Sequence, residues 1–224
     1  HGARFEVVFT DRKTGKAETL KDAALPMYGK HNVQNALAAL AVGRELGIDF
    51  VVMREMLGSF TGVKRRFTRT GEAHGITVID DYGHHPVEIA AVLSAARSAR
   101  GEKGRTIAVV QPHRYTRLSS LFEEFCTCMN EADVVIVADV YAAGEMPIDG
   151  VSKESLAEGL RTHGHRDVHL LPAPEKLAGI IATLAREGDM VVCLGAGTIT
   201  GWAHALPNEL EKILEEKSSQ KAAS

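Results

Sequence analysis

Short runs of β-branched and aliphatic residues recur near residues 76–80, 106–110, 133–139, 167–171 and 189–194, and the stretches between them carry helical apolar spacing. Strands that alternate with helices in this way pair in parallel, because each return to the same end of the sheet needs a crossover. The pattern predicts an α/β fold: a doubly wound, mostly parallel Rossmann-like sheet. Open sheets of this kind bind ligands beyond the carboxyl ends of their strands. The residues that follow each run are therefore where chemistry is to be sought.

The chain ahead of these runs reads differently. Strands are expected from Arg4 to Thr10 and from Ala17 to Leu20, joined by a turn around Asp11-Arg12-Lys13-Thr14-Gly15. A helix is expected from Asn32 to Leu46, stopped by Gly47, and a shorter one from Val51 to Leu57. The segment Thr61-Gly62-Val63 reads as a hinge, dividing residues 1–61 from residues 62–224. A last helix is expected to reach about Glu216, followed by a frayed polar tail from Lys217 to Ser224.

Composition narrows the function classes. The 224 residues are 45% hydrophobic and 25% charged, enough for one large core and part of another. A net charge of -3 gives no electrostatic reason to expect nucleic acid. No window resembles a membrane span or a cleavable leader, which points to a cytoplasmic protein. Cys126 and Cys128 sit two apart in a helical stretch and Cys193 in an apolar strand, so all three read as structural thiols rather than zinc ligands.

Two strand ends stand out. Ile76-Thr77-Val78-Ile79 runs into Asp80-Asp81-Tyr82-Gly83-His84-His85-Pro86, where Pro86 suits a first helical turn. Thr106-Ile107-Ala108-Val109-Val110 runs into Gln111-Pro112-His113-Arg114-Tyr115-Thr116-Arg117. The first end offers carboxylates and imidazoles. The second offers two guanidiniums on one helical face, each able to grip a carboxylate or phosphate with two parallel bonds. Together they predict a site for a small anion.

Plainer readings stand beside these. Asp80 and Asp81 suit a helix cap, or a metal site with His84 and His85, although adjacent histidines rarely share one ion. Asn32 suits an N-cap with Asn35 merely exposed, yet an asparagine amide also matches the N6/N7 edge of adenine. Lys64-Arg65-Arg66-Phe67 suits a solvated basic patch, and Arg114 and Arg117 suit surface pairs with Glu123 or Glu124. Gly195-Ala196-Gly197 lacks the spacing of a dinucleotide fingerprint and reads as a close-approach turn; Tyr141 with Gly144-Glu145 reads as a brace for the crevice.

These motifs, with His31-Asn32-Val33-Gln34-Asn35-Ala36 and Gly195-Ala196-Gly197-Thr198-Ile199, resemble the Mur ligases over nearly the whole chain. Within that family the Asp-Tyr-Gly-His-His-Pro and Pro-His-Arg-Tyr-Thr-Arg motifs resemble the enzymes that join L-alanine to UDP-N-acetylmuramate in peptidoglycan biosynthesis. The sister activity, a murein peptide ligase of cell-wall recycling, and a noncatalytic nucleotide-binding module are the alternatives. The resemblance implies ATP as phosphoryl donor, Mg2+ bridging its phosphates, and an acyl phosphate that the amine of alanine attacks.

It also implies roles. His31, Asn32 and Asn35 would face adenine, Asp81 the ribose hydroxyls, and Arg66 the ATP phosphates. Tyr82 and His84 would lie near the amino-acid and muramoyl carboxylates, with His85 behind them. Arg114 and Arg117 would clamp the alanine carboxylate, with His113 and Tyr115 lining the same pocket. Arg66 and His84 are the catalytic candidates, and no metal ligand is assigned. A phosphate loop needs Gly-x-x-x-x-Gly-Lys-Ser/Thr, whereas Ala24-Leu25-Pro26-Met27-Tyr28-Gly29-Lys30-His31 fails at the first glycine and the last hydroxyl. The chain is therefore expected to be a carboxy-terminal piece comprising the end of the central ATP-binding domain and the ligase domain, its partner being the missing amino-terminal part of the same enzyme.

Overall fold

A computed structural model describes residues 2–60 and 62–222. The chain falls into two compact units, His1–Lys64 and Arg65–Ser224. Thr61, the first residue of the expected hinge, lies outside the described residues, as do His1 and the last two residues of the expected tail.

In the first unit, strands β1 (Ala3–Thr10) and β2 (Ala17–Leu25) pair antiparallel, and helices α1 (Lys30–Glu45) and α2 (Phe50–Gly58) follow. Asn32, Ala36, Leu40 and Gly43 form the buried stripe of α1 at helical spacing. Leu40 and Met53 join Val7, Phe9, Leu20 and Ala23 in one small core. Strand β2 runs on to Leu25, further than expected, because Ala23, Ala24 and Leu25 continue the pairing opposite Phe5, Arg4 and Ala3.

The second unit is built on a six-stranded sheet. Its strands are β3 (Thr68–Ala73), β4 (Ile76–Asp81), β5 (Thr106–Val110), β6 (Val134–Val137), β7 (Val168–Leu170) and β8 (Met190–Leu194), in the order β3-β4-β8-β5-β6-β7. All neighbours pair in parallel except β3 with β4, so the sheet is mostly parallel. Helices α3 (Pro86–Ala99), α4 (Tyr115–Ser120), α5 (Phe122–Thr127) and α6 (Lys153–Thr162) pack on one face; α7 (Leu177–Leu184) and α8 (Ile199–Ala222) pack on the other. Alternate residues of one strand serve opposite cores: Val192 and Leu194 of β8 meet the first set of helices, and Val191 and Cys193 meet the second.

Three expectations need correction here. Strand β3 was not anticipated: Thr-Arg-Thr-Gly-Glu-Ala has no apolar alternation, and its register shifts between Arg69 and Gly71. Helix α8 does not stop near Glu216 but runs to Ala222, with the Lys217 ammonium donating to the Ala182 carbonyl at 3.1 Å. The helical stretch holding Cys126 and Cys128 breaks at Leu121 and ends at Thr127, so Cys128 caps α5 rather than lying within it. Burial pushes the thiols up, to about 11 at Cys126 and about 12 at Cys128, which suits inert core groups. No helix among the described residues is long and apolar enough to cross a membrane.

Candidate active site at the carboxyl ends of β4, β8 and β5

Strand β8 lies between β4 and β5, and the three end level, with Asp81 beside Leu194 and Leu194 beside Val110. The chain leaving β4 and β5 enters helices on one face, while the chain leaving β8 enters α8 on the other. Neighbouring strands thus send their connections apart, and a crevice is left above β8. The turn that floors it, Gly195 to Thr198, is built to be approached. Gly195 has φ 153, a conformation that side chains resist, and a Cβ on Gly197 would lie 2.5 Å from Gln111 Oε1 and 2.6 Å from Tyr141 Cγ. The buried Gln111 closes this turn by accepting from the Ile199 amide at 3.1 Å and donating to Thr198 Oγ1 at 3.0 Å.

The end of β4 is anchored by its aspartates. Asp81 accepts from the Phe67 amide through Oδ2 and from the Gly83 amide through Oδ1, both at 2.7 Å. It therefore shapes the turn into α3, and substitution of Asp81 will disturb that turn as well as any ligand it meets. Asp80 is 0% exposed and accepts from Thr200 Oγ1 at 2.6 Å; Arg65 Nε lies 3.6 Å away. The helix cap expected of an aspartate belongs instead to His85, whose Nδ1 accepts from the Val87 amide while Glu88 accepts from the amides of His84 and His85. Burial opposes the charge on Glu88, yet those amides, with His84 and Arg66, hold its carboxyl below the ordinary range.

A line of rings crosses the crevice. Tyr82 meets His84 edge-on at 5.2 Å, His84 meets His113 at 5.6 Å, and His113 stacks on Tyr141 at 5.4 Å. His84 is steered by its Nδ1 against the Tyr82 carbonyl at 2.9 Å. Arg117 donates through Nη1 to the His113 carbonyl at 2.9 Å, with the ring Nδ1 at 3.1 Å. Desolvation first, then the neighbouring guanidinium of Arg117 and, less strongly, that of Arg114, hold His113 below the ordinary histidine value. The site thus offers an uncharged imidazole among guanidiniums.

Arg114, at φ 74, sits before α4 with a side chain 49% exposed, 3.6 Å from Glu145. Such a backbone costs roughly 1–3 kcal/mol and is typical of sites where a side chain must be aimed. Glu145 also accepts from the Thr116 amide at 3.0 Å and from its hydroxyl at 2.7 Å, and these bonds hold its carboxyl below the ordinary range. The expected partners Glu123 and Glu124 are not used by either arginine: Arg114 pairs with Glu145, and Arg117 with His113. The structure thus gathers Tyr82, His84, His113, Arg114 and Arg117 around one crevice. Tyr115 opens α4 beside them. Arg66 is 45% exposed and 4.0 Å from Glu88.

His31, Asn32 and Asn35 belong to the first unit. Helix α1 begins before Asn32, with Gly29 as its N-cap, so the cap role considered for Asn32 is overturned. Asn32 is buried instead, donating to the Tyr28 carbonyl at 2.7 Å, and Asn35 is exposed one turn on. Among the described residues no three His, Cys, Asp or Glu side chains converge on one point. Among those residues no carboxylate cage is formed for Mg2+.

Sequence reasoning missed Arg65, Gln111 and the capping role of Glu145. Arg65 is masked by the basic run around it, and a glutamine at a strand end carries no signal of the helix it caps 88 residues later. Comparison with known proteins accords with the geometry. Residues 65–197 match the family described as Mur ligase, glutamate ligase domain. The UDP-N-acetylmuramate--L-alanine ligase of Rhodospirillum centenum is 66% identical over 95% of this chain, which spans 44% of that relative's length. The crystal structure of UDP-N-acetylmuramate-alanine ligase from Thermotoga maritima superposes with a TM-score of 0.73 at 26% identity, over 94% of this chain and 44% of that one. A murein peptide ligase from Psychrobacter arcticus shares the fold, with a TM-score of 0.67 at 24% identity over 94% of this chain and 42% of its own. A chain matched over this much of its length, with the family's strand-end motifs gathered around one crevice, belongs to the Mur ligase family.

Proposed function

We propose that the chain is the carboxy-terminal part of an enzyme that joins L-alanine to UDP-N-acetylmuramate at the expense of ATP. Residues 1–61 would end its central ATP-binding domain and residues 62–224 would form its ligase domain. The observation that carries the reading is the arginine pair at the crevice: Arg117 is held by His113 at a fixed orientation, and Arg114 is aimed by an unusual backbone. Two guanidiniums beside a wall of rings suit a small amino acid, with its carboxylate on the forks and a one-carbon side chain against the rings.

In this reading ATP transfers its γ-phosphoryl group to the lactyl carboxylate of UDP-N-acetylmuramate. The alanine amine, as the free base, then attacks the acyl carbon; the C–N bond forms, the C–O bond to phosphate breaks, and the proton shed by the amine leaves on the departing phosphate. Mg2+ supplies charge neutralisation at the phosphates when bound. On the first unit Asn32 and Asn35, with His31 beside them, are the candidates for adenine; on the second, Asp81 is the candidate for the ribose and Arg66 for the phosphates. Tyr82, His84 and Tyr115 would confine the amino acid. Positioning and charge neutralisation do the work on this chain's side. His113, held uncharged with Nδ1 turned to Arg117, adds no third cation to the carboxylate site and keeps its Nε2–H to donate to a substrate oxygen.

The test is phosphate release by the full-length protein with ATP, UDP-N-acetylmuramate and either alanine or a preformed tripeptide. Release that depends on alanine supports the reading; release with the tripeptide alone assigns the recycling activity instead. The 224-residue chain by itself, which has no phosphate-loop motif, is expected to make no product.

A further inference from the structure

Arg65 has no part in the roles above, yet it touches more of the crevice than either clamp arginine. Its Nη2 donates to the Gly195 carbonyl at 2.5 Å, and its guanidinium carbon lies 4.8 Å from the centroid of the Tyr82 ring. Its own carbonyl accepts from the Tyr82 amide at 2.8 Å, and its Nε faces the buried Asp80 at 3.6 Å. The side chain is 23% exposed and the backbone sits at φ 60. Contacts run from Tyr82 through His84 and His113 to Tyr141, and Tyr141 presses on Gly197 at the other end of the floor turn. Arg65 joins the two ends of this line, Tyr82 and the Gly195 turn, and closes it into a ring.

We propose that Arg65 is a positioning residue for the amino-acid pocket, fixing Tyr82 and the Gly195–Gly197 turn at once from beneath. The inference rests on the alanine-ligating reading above. A guanidinium is needed because three directions are used together: one edge toward Asp80, one N–H to the Gly195 carbonyl, and a flat face for the Tyr82 ring. A lysine ammonium can stay near Asp80 but cannot also span to Gly195 and stack on the ring. Asp80, closed off from solvent and bonded to Thr200 of α8, fixes the guanidinium rather than meeting substrate. A role confined to stability would lower melting temperature without favouring one substrate over another. A positioning role shifts the alanine KM and leaves ATP alone.

The experiment is steady-state kinetics of the full-length ligase with Arg65→Lys and Arg65→Met, varying alanine and ATP separately. Arg65→Lys keeps a cation beside Asp80 and is expected to fold; its alanine KM should rise about fivefold or more, with the ATP KM within about twofold. Arg65→Met, where it folds, should raise the alanine KM about tenfold or more. An unchanged alanine KM in folded Arg65→Lys overturns the proposal, and so does an equal rise in both KM values. Wild-type enzyme that shows no alanine-dependent turnover overturns the underlying reading. Normal wild-type turnover with indifferent variants overturns the positioning role alone.

Discussion

Arg117 Nη1 approaches both the carbonyl of His113, at 2.9 Å, and its ring Nδ1, at 3.1 Å. A cation bonded to Nδ1 requires that nitrogen to be the acceptor, so the imidazole is neutral with its proton on Nε2. The same contact orients the guanidinium, and so one pair sets both the charge of the ring and the aim of the clamp.

The pH behaviour of this pair follows from the direction of the shift. Because burial and then Arg117 lower the folded value of His113 beneath the ordinary 6.5, the folded state stays neutral where an unfolded chain has begun to bind a proton. The contribution of this histidine to stability is therefore complete above the ordinary value and declines as pH falls below it. A His113 titration followed by NMR should have its midpoint below 6.5, and Arg117→Met should move that midpoint upward. A midpoint unaffected by Arg117→Met would remove the arginine from the account of this ring.

Gln111 supplies a second prediction. Its side chain is the partner of the Ile199 amide at the start of α8 and of the Thr198 hydroxyl. Gln111→Ala leaves a buried N–H unpaired, at about 1–3 kcal/mol. For a unit of this size that corresponds to a fall in melting temperature of roughly 2–12 °C. Thermal denaturation checks it, and an unchanged melting temperature would mean that the turn holds itself.

A pair of glycine substitutions separates crevice from scaffold. Gly197→Ala forces a methyl group to within 2.5 Å of Gln111 Oε1 and 2.6 Å of Tyr141 Cγ, so Tyr141 must move off His113. Gly201→Ala, at the third residue of α8, meets nothing within 4 Å and should stabilise the helix by up to about 1 kcal/mol. In the full-length enzyme the first should impair alanine use and the second should leave kinetics intact while raising the melting temperature. Equal kinetics for both would place the turn outside the pocket.

The parts of the fold that were legible in the sequence share a cause. Strands β5 and β8 are buried on both faces and are apolar apart from Thr106, and β4 is apolar at Ile76, Val78 and Ile79 before it ends in Asp80 and Asp81, so each run stands out against the polar turn that follows it. Strand β3 lies at the sheet edge, pairs on one side only and shifts register between Arg69 and Gly71, and the missing side chain of Gly71 leaves room for Pro207 of α8; its residues carry no apolar alternation to announce this. At the site, chemistry-bearing types such as His84, Arg114 and Arg117 are visible because they cluster after strands. Their partners were not. Glu145 reaches Thr116 across 29 residues and Gln111 reaches Ile199 across 88, distances over which no local pattern survives.

On the proposed function, the crevice would select and hold alanine through the arginine pair. This is tested most directly by kcat/KM for alanine in the full-length enzyme carrying Arg117→Lys, with Arg114→Lys alongside. A bidentate bond between guanidinium and carboxylate is worth roughly 1.5–3 kcal/mol, and a lysine cannot reproduce the fork. The predicted result for each variant is a loss of about ten- to a hundredfold in alanine kcat/KM with the ATP KM unchanged. Normal alanine use by both variants, or a loss that falls on ATP instead, would contradict it.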